Sequence, residues 1–487
     1  MKFARQIKAM TQNDEGAIIV FWAVSLAVVL GLVAMSFDFG QKAATQSELQ
    51  SFADQVALAA AGELDGEADA ITRATAAATN MIIDSQTFAT GAQVLAGNTD
   101  YTLTFYRTLP ASDTASIDPG VTTDPARAIY ARALATPRTV PHTFTGAFDA
   151  LRGGTTANPA IGAVAVAGFT QYACDITPLM FCIPTPTFKA DANIGTMILL
   201  RSGGNGAAWG PGDFGFLDPN GLAVDPNGPC AGLNGAGRTR CLIGATGALT
   251  QCFSQRGVDT EPGQKVGIEN SAYNVRFDIY TGAMSSRRTD PNYPPAPNVI
   301  KGIVPRGAGS SCVGTNGIAS PNTVGLPRDT CFAAGTCARI GDGNWTAGRG
   351  QYVSNNYGAS DPHPSATTRY QYYLAEIAAA GGGAAATAIL TGRAETGRPQ
   401  CSTSRSPDPD RRVVIAAGID CTANVIRGNT TGIPVNEFYR LFLTEPVGAG
   451  SGSTFDIYVE VVGSAETTGS GASGAGGIFH DVVQLYR

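Results

Sequence analysis

The chain has 487 residues, of which 44% are hydrophobic and only 15% are charged; this allows a sizeable core and roughly two to four domains. Glycine (60 residues) and proline (28 residues) are in excess and indicate many turns and long loops. The net charge is −6 and no basic cluster follows residue 10, so no nucleic-acid binding is expected, because it requires clustered Lys and Arg.

An uncharged, strongly apolar segment lies near the N-terminus, at residues 17–37. As a helix it would be about 32 Å long, which matches the hydrocarbon core of a bilayer. The segment is therefore predicted to be a transmembrane helix. Its anchoring side chains include Ala17, Phe21, Trp22, Leu26, Leu30 and Phe37.

The charges beside this segment predict its orientation. Lys2, Arg5 and Lys8 precede it and Asp38 follows it, and basic flanks stay on the cytoplasmic side. We therefore expect residues 1–16 in the cytoplasm, a single pass through the inner (cytoplasmic) membrane, and the bulk of the chain in the periplasm or outside the cell. A cleaved signal peptide and a buried core helix are the alternatives. The segment is longer than the apolar core of a signal peptide, and its end is a poor cleavage site.

The helical pattern continues beyond the apolar segment, over residues 38–84. Apolar residues recur at spacings of three and four, which places one stripe along a helix. The stripe comprises Leu49, Phe52, Ala53, Val56, Ala60 and Leu64. Gly62 or Gly66 is expected to end or kink the helix. Either the stripe packs on its own domain, or it packs against a partner helix and causes helix-mediated self-association.

Residues 85–487 are predicted to be β-rich with long loops, so that the whole chain is α+β. Strands are expected near residues 101–109, 127–134, 139–144 and 161–169, the last of which could also be a buried helix. Residues 201–365 are rich in turn-forming residues and are predicted to be mostly loop. A short helix is predicted at residues 370–380 and an ordered sheet at residues 411–487, in either one or two exported domains.

All ten cysteines follow the apolar segment, at positions 174, 182, 230, 241, 252, 312, 331, 337, 401 and 421. An even number on one side of a membrane favours disulfides in an oxidising compartment. Metal binding and free buried thiols are the alternatives, although no C-x-x-C pair occurs and the three histidines are scattered. The predicted local pairs are Cys174 with Cys182 and Cys401 with Cys421, since each pair flanks a turn-rich loop.

No motif for catalysis or cofactor binding has the context that it requires. Residues 469–474 match G-x-G-x-x-G, but a strand rather than a helix is expected after them, so they are interpreted as a linker. P-loop, nucleophile-elbow and H-E-x-x-H motifs are absent from the sequence. The carboxylate pairs Asp259/Glu261 and Asp456/Glu460 are interpreted as solvated surface groups.

Two Asp-Pro-Asn-Gly tetrads, at residues 218–221 and 225–228, have the composition of type I turns. Calcium binding is the alternative, because Asp and Asn oxygens are calcium ligands, but no Glu stands at the twelfth position of an EF-hand loop. We therefore expect no enzyme, no catalytic residue, no metal site and no cofactor.

The residues after the apolar segment resemble a known family. Asp38-Phe39-Gly40 is followed at residues 47–61 by the stretch SELQSFADQVALAAA. In order and spacing this resembles the N-terminal domain of TadG-like proteins, which belong to the tight-adherence (Tad, or Flp) pilus-assembly systems. The matching positions are Asp38, Gly40, Leu49, Gln50, Ala53, Asp54 and Leu58, whereas Phe52 and Gln55 replace alanines of the family pattern. Residues 276–280, 442–447 and 483–487 resemble parts of longer members.

The resemblance also bears on proteolytic processing. Family members that act as pseudopilins are cut after a glycine, with a glutamate five residues later. Here Gly16 is followed at that position by Phe21. The departure favours a permanent membrane anchor over a polymerised subunit.

The resemblance implies a structural or assembly component of a Tad (Flp, type IV-like) pilus. Its partners would be pilus subunits or other Tad assembly proteins, together with the inner membrane. The alternative is an envelope-anchored adhesin or ligand-binding surface protein that pilus assembly does not need, since loops often carry binding sites.

Overall fold

The computed structural model of the chain begins with one very long helix and continues as a mixture of short helices and strands, which confirms the α+β class. It describes residues 17–110, 112, 115–146, 153, 157–174, 176–202, 209–218, 227–246, 252–255, 257–261, 269–307, 309–315, 317–358, 360–383, 387–426, 429–448, 456–465 and 478–486. The chain forms two units, the first from residues 1–170 and 481–487 and the second from residues 171–480.

The first unit is built on helix α1 (Ala17–Ala61), which continues without a break past the end of the apolar segment. At 1.5 Å per residue this helix is about 68 Å long. The turn after it includes Gly66, whose φ of +89° favours glycine. Helix α2 (Ala70–Met81) follows. The predicted helical stretch ends early, because β1 (Ile83–Ser85) pairs with β2 (Val94–Ala96).

An antiparallel sheet completes the first unit. Its strands are β3 (Tyr101–Tyr106), β4 (Tyr130–Ala135) and β7 (Val164–Cys174), with β17 (Ile478–Leu485) also paired to β7. The short strands β5 (Arg138–Thr139) and β6 (Ala160–Ile161) pair separately. The strand predicted at residues 139–144 is therefore wrong beyond residue 139, and residues 144–146 are helical instead. The segment predicted as either strand or helix, residues 161–169, is mostly strand.

Alanines fill the space between α1 and this sheet. The fully buried ones are Ala53, Ala57, Ala60 and Ala61 on α1, Ala131, Ala133 and Ala135 on β4, and Ala165 and Ala167 on β7. Alternate residues of a strand share one face, and small side chains let the helix approach that face closely. The rings of Phe52 and Tyr101 meet edge to face at 6.0 Å. The apolar stripe thus packs on its own unit, and self-association through another face of α1 stays a prediction.

The second unit contains a closed six-stranded barrel in the order β10-β8-β14-β15-β16-β9. Its strands are β8 (Leu179–Cys182), β9 (Met197–Ser202), β10 (Asp213–Phe216), β14 (Val413–Ile419), β15 (Glu437–Leu443) and β16 (Asp456–Ser464). The β8/β14 and β9/β10 pairs are parallel and the other four are antiparallel. Closure leaves no open strand edge. All seven residues of β14 are buried, so both of its faces are covered.

Short elements occupy the loop-rich part of the second unit. They are strands β11 (Cys252–Ser254), β12 (Ile303–Val304) and β13 (Ile318–Ala319), and helices α3 (Gly235–Gly244), α4 (Glu269–Asn274), α5 (Thr330–Ala333), α6 (Thr346–Tyr357) and α7 (Arg369–Ala379). In the described part of the chain, 3-10 helices lie at Asp118–Gly120, Pro125–Arg127, Asp191–Asn193, Val275–Phe277, Gly282–Thr289 and Pro409–Arg412. The helix predicted at residues 370–380 is α7, whose N-cap Thr368 accepts a hydrogen bond from the N–H of Gln371.

Disulfides are present as predicted, but the predicted pairs are wrong. The bonds between described side chains are Cys182–Cys421, Cys230–Cys241, Cys312–Cys401 and Cys331–Cys337. In the parallel β8/β14 ladder Cys182 lies opposite Ile419, which brings Cys421 beside it across 239 residues of sequence. Cys174 therefore does not pair with Cys182; its backbone lies in register with Cys252 on β11. Cys401 pairs with Cys312 rather than with Cys421.

Candidate anchoring and assembly site

The first part of α1 exposes large apolar side chains on every side. The large residues predicted as anchors are all exposed: Phe21 (69%), Trp22 (67%), Leu26 (57%), Leu30 (58%) and Phe37 (48%). Ala17 begins the helix. A helix that is apolar all round is typical of a membrane span, and α1 is long and apolar enough to cross one.

Asp38 is the first residue of α1 beyond the apolar segment, and it is only 3% exposed. Its carboxylate accepts hydrogen bonds from the N–H groups of Thr143 (3.1 Å), Phe144 (3.2 Å) and Thr145 (2.8 Å) and from the Thr145 hydroxyl (2.5 Å). Residues 144–146 begin a helical turn, so these N–H groups have no acceptor within their own helix. Asp38 therefore joins α1 to a segment that lies more than 100 residues later in the chain.

These hydrogen bonds control the charge of Asp38. Burial by itself raises the pKa of the carboxyl, but the hydrogen bonds from Thr145, Phe144 and Thr143 outweigh burial and lower the pKa to about 2. The carboxylate is therefore ionised at neutral pH. Its negative charge faces the start of a helical turn, where the backbone dipoles favour an anion.

The apolar positions of the family-like motif lie in the core of the first unit. Leu49 is 1% exposed and Ala53 is fully buried, and Leu58 packs partly against the same core. Gly40 is exposed, and a Cβ atom added there would meet nothing within 4 Å. The structure thus explains the apolar positions by packing and gives no steric reason for Gly40.

The polar positions of the motif hold α1 to the sheet. Nε2 of Gln50 donates to Oδ1 of Asp54 at 2.7 Å and to the backbone carbonyl of Val164 on β7 at 3.1 Å. Glu48, next to the motif, accepts hydrogen bonds from the N–H (3.0 Å) and hydroxyl (2.6 Å) of Thr87. The sequence pattern therefore marks residues that fix the helix in its own unit.

The remaining face of α1 borders a shallow open groove. Its lining is mostly small and polar, and comprises Ala43, Gln46, Ser47, Gln50, Ser51, Asp54, Gln55, Leu58 and, from β17, Leu485. Gln55 is held by hydrogen bonds to Ser51 (3.1 Å) and Asp84 (3.0 Å). This groove is one accessible surface of the part of α1 that follows Asp38.

The role of the segment that Asp38 binds, residues 143–145, was not predicted from the sequence. Residues 139–144 combine Thr, Val and Phe, which favour strands, and this composition supports the wrong assignment. The signal in the sequence was Asp38 itself, an acidic residue directly after an apolar helix. Its position in the sequence does not indicate which residues bind its carboxylate.

Two groups of acidic residues in the second unit make contacts with other parts of the chain. Glu460 is fully buried, which corrects its assignment to the surface, and it accepts hydrogen bonds from Nη1 of Arg369 (2.9 Å) and the N–H of Tyr370 (2.8 Å). Its predicted companion Asp456 forms an ion pair with Arg201. A barrel strand whose face is covered by α7 explains why Glu460 is buried.

A carboxylate oxygen of Asp329, Sγ of Cys331 and a carboxylate oxygen of Asp342 lie within 4.8 Å of one another. The sulfur of Cys331 is bonded to Cys337 and is not a thiolate ligand. Asp329 accepts hydrogen bonds from the N–H groups of Met197 and Gly343. This group is therefore interpreted as part of the protein framework.

Some sequence predictions fall outside the described residues. These are Gly16 as a cleavage site, the glycine-rich residues 469–474, and residues 219–221 and 225–226 of the two turn tetrads. They stay predictions.

Comparison with protein families identifies the N-terminal part of the chain. Residues 16–63 match the family described as putative Flp pilus-assembly TadE/G-like. No curated protein and no solved structure matches the chain. The match covers α1 with Asp38 and every motif position named above, although it is a small part of the 487 residues. The N-terminal part of the chain, which contains α1, is thus similar to a TadE/G-like Flp pilus-assembly domain.

Proposed function

We propose that this chain is a membrane-anchored structural or assembly component of a Tad (Flp, type IV-like) pilus system. The observation that carries the proposal is the family match at residues 16–63, which lies on the same unbroken helix as the apolar segment. The charges on either side of that segment support a cytoplasmic N-terminus, with the two units in the periplasm or outside the cell.

The architecture suits a component that holds other proteins at the membrane. Helix α1 runs from the apolar segment directly into the alanine-rich core of the first unit, and Asp38 ties it to residues 143–145 where it leaves the segment. No flexible linker separates the anchor from this unit. Pilus subunits or other Tad assembly proteins are the proposed partners, and no catalysis is required of the chain.

The proposal is tested by deleting the gene and restoring it from a plasmid. Surface pili are counted by electron microscopy, and surface-attached cells are counted in parallel. We expect loss of both in the deletion strain and recovery of both with the plasmid. Loss of attachment with normal pili would instead favour an adhesin, and normal pili with normal attachment would overturn the pilus role.

The orientation is tested separately with fusions to the full chain. Green fluorescent protein at the N-terminus is expected to fluoresce, because it would stay in the cytoplasm. Alkaline phosphatase after Arg487 is expected to be active, because it folds only outside the cytoplasm. An inactive phosphatase on a stably produced chain would contradict the proposed orientation.

A further inference from the structure

We infer that Phe144 inserts into the lipid bilayer interface beside the point where α1 leaves the membrane. It would do so together with Phe37 and Phe39, and these three residues are called the aromatic cluster below. The ligand is a lipid surface. This inference rests on the proposed membrane anchor and adds to it a second contact, made by the folded part of the first unit.

The aromatic cluster is exposed although its side chains are large and apolar. Phe37 is 48% exposed, Phe39 is 61% exposed and Phe144 is 46% exposed. The rings of Phe37 and Phe144 meet edge to face, with centroids 5.3 Å apart. Aromatic side chains are enriched where a membrane protein crosses the boundary between hydrocarbon and headgroups.

Hydrogen bonds fix the height of Phe144 along α1. Its N–H donates to the carboxylate of Asp38 at 3.2 Å, and Asp38 directly follows the apolar segment. Phe144 therefore lies level with the end of the segment that would fill the hydrocarbon core. A ring held at that level, beside Phe37, meets the same lipid environment as Phe37 does.

Continuity with the apolar segment identifies lipid as the occupant. The aromatic cluster adjoins the exposed apolar surface of residues 18–37. The ring of Phe144, which comes from another part of the chain, widens this surface beside Phe37. Nζ of Lys42 lies 5.3 Å from the centroid of the Phe39 ring. A lysine just beyond the apolar segment places its charge among lipid headgroups.

The test places one fluorinated reporter in the full-length protein and reconstitutes it in nanodiscs of phosphatidylcholine and phosphatidylglycerol. Trifluoromethyl-phenylalanine replaces Phe144 in the test protein, Phe21 in the positive control and Phe88 in the matched control. Phe88 is also half-exposed, at 38%, and its neighbour Thr87 is bound to Glu48, about 15 Å farther along α1 than Asp38. Fluorine lines are recorded with nitroxide lipids labelled either near the headgroup or near the chain end.

The headgroup-side nitroxide is expected to broaden the line at Phe144 at least about twofold more than the chain-end nitroxide does, because the ring lies at the interface. The line at Phe88 should stay sharp with both labels. The line at Phe21 should broaden, which reports the anchor itself. If Phe21 broadens and Phe144 stays as sharp as Phe88, the inference is wrong while the anchor stands. If Phe21 also stays sharp, the membrane anchor in the proposed function is wrong and this inference falls with it.

Discussion

The carboxylate of Asp38 serves two parts of the chain at once. It belongs to α1, and it satisfies three N–H groups at the start of the turn at residues 144–146. A side chain that satisfies helix N-terminal donors usually precedes them by a few residues. Here the donors come from a distant segment, so the interaction also fixes tertiary structure.

Replacement of Asp38 by Ala is expected to lower the free energy of unfolding by about 1–2 kcal/mol, since the N–H groups of residues 143–145 lose their buried acceptor. Thermal unfolding in detergent, followed by near-ultraviolet circular dichroism, measures the change. Gln46→Ala is the control, because Gln46 is exposed on the same helix and its replacement should leave the midpoint nearly unchanged. Equal midpoints for wild type and Asp38→Ala would contradict the structural role.

The contribution of Asp38 should depend on pH. Its pKa is lowered from 3.8 to about 2 in the folded protein, so its stabilising effect is complete above about pH 4 and is lost as the pH falls toward 2. The stability difference between wild type and Asp38→Asn is therefore expected to be constant from pH 5 to about pH 8 and to shrink below about pH 4. A stability difference between the two proteins that grows as the pH falls would contradict the lowered pKa of Asp38.

Replacement of two buried arginines of the second unit is expected to have different effects on the free energy of unfolding. Arg369 pairs with Asp329 and Glu460, and all three are buried. Arg276 is also buried, and among the described residues no acceptor binds its Nε or Nη1 atoms; burial lowers its pKa to about 10. Arg369→Met should cost about 3–5 kcal/mol, because it leaves two carboxylates buried without a cation. Arg276→Met should leave the free energy of unfolding unchanged or raise it. Urea unfolding of both variants measures the two effects.

Helix α1 and its sheet approach closely because alanines line both sides. Ala53→Leu is expected to destabilise the first unit by about 1–3 kcal/mol, since the packed space beneath Ala53 has no room for three more carbon atoms. Ala43→Leu changes the same residue type on the exposed face of the same helix, and should change stability by less than about 0.5 kcal/mol. Thermal unfolding of both variants measures the contrast. Similar losses would mean that the helix does not pack as described.

Elements with strong local patterns could be predicted from the sequence. The apolar run and the three-and-four spacing predict α1, and the run of Tyr and Leu before three glycines predicts α7. Helix α6 was missed, because Gly348, Gly350 and Asn355 have low helix propensity. Its helicity depends on packing, since Tyr352 and Val353 are buried against Tyr372 and its neighbours. Local propensity could not show this.

At the scale of the whole molecule, the disulfides close loops of very different length. Cys182–Cys421 spans 239 residues and Cys331–Cys337 spans 6. Loop-closure entropy predicts that replacing the first pair by alanines lowers the free energy of unfolding by about 5 kcal/mol. For the second pair the predicted loss is about 2 kcal/mol. Urea unfolding of both double variants under oxidising conditions tests the order. A larger loss for the short loop would contradict it.

Long-range pairing also explains what the sequence could not predict at this scale. The partner of Cys182 depends on the register between β8 and β14, and the closure of the barrel depends on β9 meeting both β10 and β16. The motif at residues 38–58 indicated an important carboxylate at Asp38, but its acceptor role depends on a segment far away in sequence. Each of these contacts joins residues that no local spacing relates.

The pairing of β17 with β7 has a consequence for biosynthesis. The N–H of Tyr486 donates to the carbonyl of Val166 at 2.7 Å, and the rings of Tyr130 and Tyr486 meet at 5.1 Å. The ribosome must therefore produce residues 171–480 before the sheet of the first unit can gain this strand. Until then the edge of β7 that β17 pairs with stays uncovered. A stop codon before residue 478 would leave this edge uncovered in the finished chain.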